Sequence, residues 1–162
     1  MTANQDSAFY WSGDDTIYVG QRLASDVWRN LVYPARKADE PPLARKVGDF
    51  GLAFIVAHEY AHGLGQVVGT RRYNPADPTK SFELAADCAA GVWGANVMKK
   101  RKVPARALRV ARTTASEVGD TAFRDPNHHG TPRERRRAWN TGFRAKTIAG
   151  CNRYLSNPLP TE

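Results

Sequence analysis

The order of apolar and polar residues predicts a short β-hairpin near the start of the chain, followed by helices. AFYW at 8–11 and TIYV at 16–19 are rich in aromatic and β-branched residues, and the turn-forming SGDD separates them. This pattern predicts two strands, Ala8 to Trp11 and Thr16 to Val19, joined by a tight turn. In RLASDVWRNLV, apolar residues at 23, 27, 28, 31 and 32 have the spacing of a first helix.

Two longer apolar segments predict the second and third helices. The second runs from about Asp49, which would serve as its N-cap, to Val68 and includes the apolar run FGLAFIVA. The third runs from Phe82 to about Met98, with Ser81 in the capping position. Between them lies GTRRYNPADPTK, whose turn-forming residues indicate a loop.

Prolines mark the starts of the last two predicted helices, at Pro104 and near Pro132. YPARKADEPPLARKVG, ahead of the second helix, carries three prolines and indicates a surface loop, while the final CNRYLSNPLPTE indicates a mostly irregular tail. The predicted fold class is therefore α+β, mostly α: a small N-terminal hairpin packed on a bundle of four to five helices.

A chain of 162 residues with 41% apolar and 25% charged residues has the composition of one globular domain. We place its core at about residues 7–155 and an irregular tail at 156–162. No apolar run approaches the roughly 20 residues of a membrane-spanning helix, and MTANQDS is too polar for a signal peptide. The chain as given is expected to be soluble, whether it is complete or a piece of a longer precursor.

The net charge of +8, from 24 basic and 16 acidic residues, favours contact with anionic partners such as nucleic acid, phospholipid or cell-wall polymer. The densest basic cluster, Arg133 to Arg137, is more typical of a solvated helix face. No DNA- or RNA-binding signature accompanies it, so no specific nucleic-acid binding is expected.

The two cysteines, Cys88 and Cys151, form no C-x-x-C motif, which excludes a thiolate zinc site and a thioredoxin-like motif. A disulfide between them would close a loop across 63 positions and would indicate an oxidising compartment. Two separately buried thiols fit the sequence equally well.

The strongest chemical motif is HEYAH at 58–62, which follows the apolar run of the second helix. His58 and His62 are four residues apart, so both imidazoles project from one helix face and can bind one ion. Glu59 can direct its carboxylate at a metal-bound water, and the whole is the H-E-x-x-H pattern of zinc metalloproteases. Histidines that lay there by coincidence would carry a desolvation cost in these apolar surroundings, which favours the metal site.

A catalytic zinc site usually has three protein ligands. The pattern with a glycine at Gly65 and a third histidine three residues later fails, because position 68 is Val68. A carboxylate is the other option, and SFELAADCAAGVWG places Glu83 and Asp87 four residues apart on one helix face. We expect Glu83 to be the third ligand and Asp87 to accept the other ring N–H of His58. The alternative is an exposed acidic pair on an amphipathic helix.

Five segments of the chain resemble, in sequence and in order, the neutral zinc metallopeptidase family over about residues 7–155. They are AFYWSGDDTIYV, AFIVAHEYAHGLGQ, FELAADCAAGVW, GDTAF and HHGTPRERRRAWNTGF. The family pattern is approximately N-A-F-Y-C-x-x-D-x-x-I-Y, H-E-x-x-H-x-x-Q, E-L-Q-A-D-C-x-A-G and H-G-T-x-x-x-R. The resemblance implies a zincin-like fold, similar to the thermolysin-like gluzincins. It further implies one zinc ion per chain held by His58, His62 and Glu83, with Glu59 as the catalytic acid and base.

The chain departs from the family pattern at several positions. Trp11 stands where many members have a cysteine, and Ala85 replaces a glutamine. Gly-Leu-Gly at 63–65 changes the usual sequence after the H-E-x-x-H motif, and Gln66 comes late. Each glycine weakens a helix by about 1 kcal/mol relative to alanine, so the helix is expected to loosen and end near Gly65. None of these positions is a proposed ligand.

The predicted activity is that of a zinc metallopeptidase, with endopeptidase action as the family default. Zinc would lower the pKa of a bound water toward ~7, and Glu59 would take the proton of that water and pass it to the leaving amine. His129 is the candidate oxyanion donor and Tyr60 a weaker one, although a loop-ordering role suits His129 nearly as well. Strand Thr16 to Val19 is the candidate edge for pairing with an extended peptide substrate.

Two rival functions stay open. One is a non-catalytic domain that zinc only staples together. The other is a basic protein that binds nucleic acid or an envelope polymer through Arg133 to Arg137 and Lys99 to Lys102. The family resemblance favours a secreted or cell-envelope location.

Overall fold

The N-terminal hairpin forms where the sequence predicts it. The computed structural model describes residues 4–29, 44–67, 79–101, 103, 105–119, 121, 125 and 127–155. Strands β1 (Ala8–Trp11) and β2 (Thr16–Val19) pair antiparallel, with Ala8 opposite Val19 and Trp11 opposite Thr16. Asp15, in the turn, has a positive φ of 54°, a conformation that aspartate tolerates better than most residues. The hairpin prediction is confirmed.

Helices make up most of the remaining described chain, which confirms the mostly α fold class. They are α1 (Gln21–Trp28), α2 (Ala44–Val67), α3 (Thr79–Arg101), α4 (Ala105–Glu117), α5 (Pro132–Ala145) and the short α6 (Asn152–Leu155). A 3-10 helix, Ile148–Cys151, precedes α6. The start predicted near Pro132 agrees with α5, and α4 is described from Ala105, while the predicted start at Pro104 lies outside the described residues.

The predicted start of α2 is wrong, and so is the prediction that the helix ends near Gly65. The helix begins at Ala44, so Asp49 lies inside it and is not an N-cap, and the last part of the predicted loop is helical. The sequence before Asp49 contains alanine, arginine and lysine, which favour a helix once the following turns pack. At the other end, α2 runs through Gly65 to Val67. Packing of the whole 24-residue helix offsets the cost of its glycines.

Two further boundaries differ from the sequence predictions. Helix α3 begins at Thr79, so Ser81 lies in its first turns and is buried at 1% exposure, and is not the N-cap. The tail predicted as mostly irregular is helical over residues 152–155. The predicted extension of the first helix to residue 32, the loop residues 33–43 and 69–78, and the tail 156–162 lie outside the described residues.

A capping box defines the start of α5. The Thr131 hydroxyl accepts a hydrogen bond from the Glu134 backbone N–H at 3.2 Å, and the Glu134 carboxylate accepts one from the Thr131 N–H at 2.8 Å. Lys80, in the first turn of α3, donates to Glu134 at 2.9 Å. Burial opposes the negative charge of Glu134, but the Thr131 N–H and Lys80 outweigh it and lower the pKa of this carboxyl. The start of α5 is thereby fixed relative to α3.

Helix α3 is central, packing against α2 on one side and α5 on another. The approach of α3 and α5 requires small residues: a Cβ on Gly91 would overlap the Trp139 backbone, and one on Gly142 would overlap the Cys88 backbone. Phe54 of α2 and Trp139 belong to the same buried apolar cluster. The helices that carry the candidate chemistry are therefore held around one core.

A disulfide joins Cys88 of α3 to Cys151, with their Cα atoms 5.8 Å apart. Both residues are buried, at 0% and 1% exposure. Of the two alternatives that the sequence leaves open, the structure has the bonded pair. Within the described part of the chain, none of the helices has the length and apolar character needed to cross a membrane.

Candidate metal centre

The two motif histidines meet on the buried face of α2. His58 is 5% exposed, and its Nε2 lies 3.1 Å from the Nε2 of His62, one turn further on. The two rings meet edge to face, with an interplanar angle of 83°. The four-residue spacing therefore places two ring nitrogens at one point, as the sequence predicts.

Glu83 of α3 completes a group of three donors. One carboxylate oxygen lies 3.2 Å from His58 Nε2, and the other lies 3.4 Å from His62 Nε2. Ligand atoms around a tetrahedral zinc ion with bonds of 2.0–2.1 Å are roughly 3.3 Å apart. The closest contacts, 3.1–3.4 Å, are near this spacing but use both oxygens of Glu83, and one donor atom from each residue lies within 4.8 Å of the other two. Two imidazoles with one carboxylate are a donor set that zinc accepts. The three residues fit a zinc ion.

Asp87, one turn beyond Glu83, orients the first histidine. Its Oδ1 lies 2.9 Å from His58 Nδ1, and the side chain is completely buried. With zinc bound, an N–H at Nδ1 directed at this carboxylate would leave the Nε2 lone pair of His58 for the ion. The structure places Asp87 against His58, and its supporting role at a metal centre stays a prediction.

The charges at the centre shift the pKa of both His58 and Glu83. Burial opposes a positive charge on His58, but Glu83 and Asp87 outweigh it and raise its pKa to about 10. Burial also opposes the negative charge of Glu83, yet His58 and, less strongly, His62 hold its pKa well below the usual range. Both shifts describe an environment that stabilises a cation among carboxylates.

Arg135 of α5 is part of the centre, and sequence reasoning missed it. Its Nε lies 2.7 Å from one oxygen of Asp87, and its Nη2 lies 3.0 Å from the other oxygen and 3.1 Å from Glu83. Its Nη1 donates to the backbone carbonyl of Val118 at 3.2 Å. The residue is only 3% exposed. The solvated face predicted for the arginine cluster is correct for the exposed Arg133, Arg136 and Arg137 but wrong for Arg135.

The helical spacing of the buried residues in α5 does indicate that Arg135 is buried. The buried positions of α5 are Arg135, Ala138, Trp139 and Gly142, and each lies three or four positions from another member of the set. An arginine in register with a buried apolar stripe is not on the solvent face. The family pattern H-G-T-x-x-x-R also ends at this residue.

Glu59 lies beside the histidines and contacts the hairpin. It is 9% exposed, and its Oε2 accepts a hydrogen bond of 3.0 Å from the backbone N–H of Tyr10. The ring of Tyr10 lies against α2 at Gly63, where a Cβ would come within 2.8 Å of a ring carbon. The strand edge that adjoins Glu59 is therefore the outer edge of β1.

The two candidate oxyanion donors lie on different elements. His129 is exposed, in the segment just before α5, and Tyr60 is 58% exposed on α2. Their roles as donors stay predictions.

Comparisons with known proteins agree with the chemistry of the centre. A family model described as "Putative neutral zinc metallopeptidase" matches residues 43–154, which contain the three donors, Glu59, Asp87 and Arg135. The chain is also 26% identical, over 166 residues, to two proteins named "Uncharacterized protein YpfJ", from Escherichia coli strains K12 and O6:H1.

The match to these relatives covers 90% of this chain and 53% of theirs, so the chain spans about half the length of the curated relatives it matches. No solved structure matches the chain.

Proposed function

Because the chain belongs to the neutral zinc metallopeptidase family, we propose that it hydrolyses peptide bonds at a zinc centre formed by His58, His62 and Glu83. The observation that carries the proposal is the convergence of these three donors, from two helices, within 4.8 Å of one another. A bound zinc ion supplies Lewis acidity, which polarises a carbonyl and lowers the pKa of water. Three protein ligands leave room for that chemistry, whereas a structural site is closed by four.

Glu59 is the proposed general base and acid. Its carboxylate takes a proton from the attacking water as the C–O bond forms, and then gives this proton to the amine nitrogen as the C–N bond breaks. The Tyr10 N–H supports this role because it fixes one carboxylate oxygen and leaves the other to face the reaction. The carboxylate begins and ends the cycle without the proton, so it is regenerated.

The outer edge of β1 is the proposed docking edge for an extended peptide. The Tyr10 N–H points from this edge toward Glu59, and an added strand would pair with the remaining backbone groups of the edge. We favour this edge over that of β2, the strand proposed from the sequence, because the Tyr10 N–H of β1 contacts Glu59. His129 remains the proposed oxyanion donor, with Tyr60 as the weaker candidate.

The disulfide supports an oxidising location such as the cell envelope or the exterior. Cys88–Cys151 is buried and joins two elements of the core, which is typical of structural disulfides in such compartments.

A casein digestion assay tests the proposal. Purified protein loaded with one zinc per chain is incubated with casein, with and without a chelator, and Glu59→Gln protein at equal zinc content is the matched control. We expect digestion only by the zinc-loaded protein with Glu59 in place.

Zinc binding without digestion would favour a domain that zinc only staples together. Salt-sensitive binding of DNA by the metal-free protein, again without digestion, would favour a basic binding protein. Either result contradicts the proposed activity.

A further inference from the structure

The metal centre contains two buried carboxylates besides that of Glu83, the one carboxylate proposed as a zinc ligand. Glu83, Asp87 and Glu59 are all buried or nearly so, and Asp87 is at 0% exposure. Carboxylates placed so closely in a protein interior repel one another and have lost most of their hydration. In the absence of a metal ion, nearby positive charge offsets this repulsion.

Arg135 supplies a positive charge at the correct place. Its guanidinium contacts both oxygens of Asp87, at 2.7 and 3.0 Å, and one oxygen of Glu83, at 3.1 Å. It thereby bridges the residue that orients His58 and the residue proposed as the third ligand. Burial opposes its charge, but Asp87, Glu83 and Glu59 outweigh this and raise the pKa of Arg135 further. An arginine keeps its charge at every pH at which the protein is folded.

We propose that Arg135 is a positioning residue that neutralises Glu83 and Asp87 when no metal is bound, so that the centre remains folded and preformed before zinc arrives. The inference rests on the proposed zinc centre but not on peptidase activity. It distinguishes this protein from small domains in which the metal itself holds the ligands together and the metal-free chain unfolds.

The contribution of Arg135 to stability should differ between the metal-free and the zinc-bound protein. Without zinc, Arg135 bridges both carboxylates. With zinc bound, the ion offsets the charge of Glu83 directly and that of Asp87 through His58. Loss of Arg135 should therefore destabilise the metal-free protein more than the zinc-loaded protein. A residue that only packs α5 against α3 would destabilise both states equally.

The experiment measures the melting temperature of Arg135→Met protein, metal-free and zinc-saturated, beside the unsubstituted protein. Methionine keeps most of the side-chain length but has no charge. We expect the metal-free melting temperature to fall by roughly 10 °C, as after the loss of one partner of a buried ion pair. Zinc should raise the melting temperature of the variant by roughly 5 °C more than it raises that of the unsubstituted protein. A variant that is recovered folded only with zinc is the extreme form of this result.

Two further variants isolate the cause. Arg136→Met removes an exposed arginine from the next position of α5 and should leave both melting temperatures and the zinc-induced shift unchanged. Arg135→Lys keeps the charge but cannot reproduce the forked contacts with Asp87. Its metal-free melting temperature should lie between those of the unsubstituted and Arg135→Met proteins.

An equal zinc-induced shift in Arg135→Met and the unsubstituted protein would overturn the proposal, since Arg135 would then be only a structural contact. Metal-free Arg135→Met protein of full stability that no longer binds zinc would also overturn it. These readouts do not involve peptide hydrolysis. A failed casein assay with an enlarged zinc-induced shift would remove the peptidase function and leave this inference standing.

Discussion

The backbone N–H of Tyr10 donates a hydrogen bond of 3.0 Å to the Glu59 carboxylate, across 49 residues of sequence. It connects the outer edge of the hairpin to the residue that follows the first histidine. One hydrogen bond thus orients the proposed base and also places the strand beside it.

Replacement of Glu59 by glutamine tests the role of this carboxylate. The amide oxygen of glutamine can still accept from the Tyr10 N–H, so the side chain should keep its position while losing its basicity. We expect unchanged zinc content and a loss of casein hydrolysis of at least about 100-fold. Hydrolysis at the original rate would show that another group accepts the proton.

Asp87→Asn tests the support of His58. The substitution removes the negative charge that Arg135 contacts at this position. It also places an amide group opposite the Nε of Arg135. We expect zinc affinity to fall by roughly 10- to 100-fold, measured by competition with a chromogenic chelator. The control is Asp6→Asn, which alters an exposed ion pair with Arg22 and should not change zinc affinity. An unchanged affinity in the Asp87 variant would exclude this residue from the support of the centre.

Two glycines in the same helix give opposite predictions. A Cβ on Gly65 meets nothing within 4 Å, so Gly65→Ala should stabilise α2 by about 1 kcal/mol. A Cβ on Gly63 lies 2.8 Å from the ring of Tyr10, which the Glu59 hydrogen bond and a 2.9 Å bond to Asp15 hold in place. Gly63→Ala should therefore reduce hydrolysis, because it displaces Tyr10, and should not show the stability gain of Gly65→Ala.

Urea unfolding of both variants and the casein assay check this pair. If both variants gain equal stability and keep full activity, hydrolysis does not depend on the position of Tyr10 against Gly63.

Reduction of the disulfide should destabilise the protein. Breaking a link across 63 positions removes about 4 kcal/mol by the chain-entropy estimate, which corresponds to roughly 10 °C in melting temperature for a chain of this size. The measurement compares melting with and without reductant, with thiol labelling to verify reduction. The double variant Cys88→Ser, Cys151→Ser should not respond to reductant. Equal melting of the oxidised and reduced forms would contradict the prediction.

Local sequence was sufficient to predict part of the candidate centre. His58, Glu59 and His62 lie within five positions of one helix, where the helical period alone decides which side chains share a face. Glu83 and Asp87 followed from the same rule on a second helix, together with the missing third ligand. The hairpin followed because its two strands are neighbours in sequence.

The features that the sequence analysis did not predict depend on contacts between elements that are distant in sequence. Arg135 lies in a basic run that resembles a solvent face, and only its packing against α3 shows that it differs from its neighbours. The Tyr10–Glu59 contact uses a backbone N–H, which every residue except proline possesses, so no residue type marks it. The start of α2 at Ala44 likewise does not follow from the nearest capping residue, because Asp49 lies inside the helix.

Cys151 follows every residue of the metal centre in the order of synthesis. The segments of α2, α3 and α5 are therefore synthesised before Cys151, so the disulfide can form only after all three are present. A chain cut after Ala145 would keep every donor, Glu59, Asp87 and Arg135, and would lose the disulfide together with the buried Tyr154.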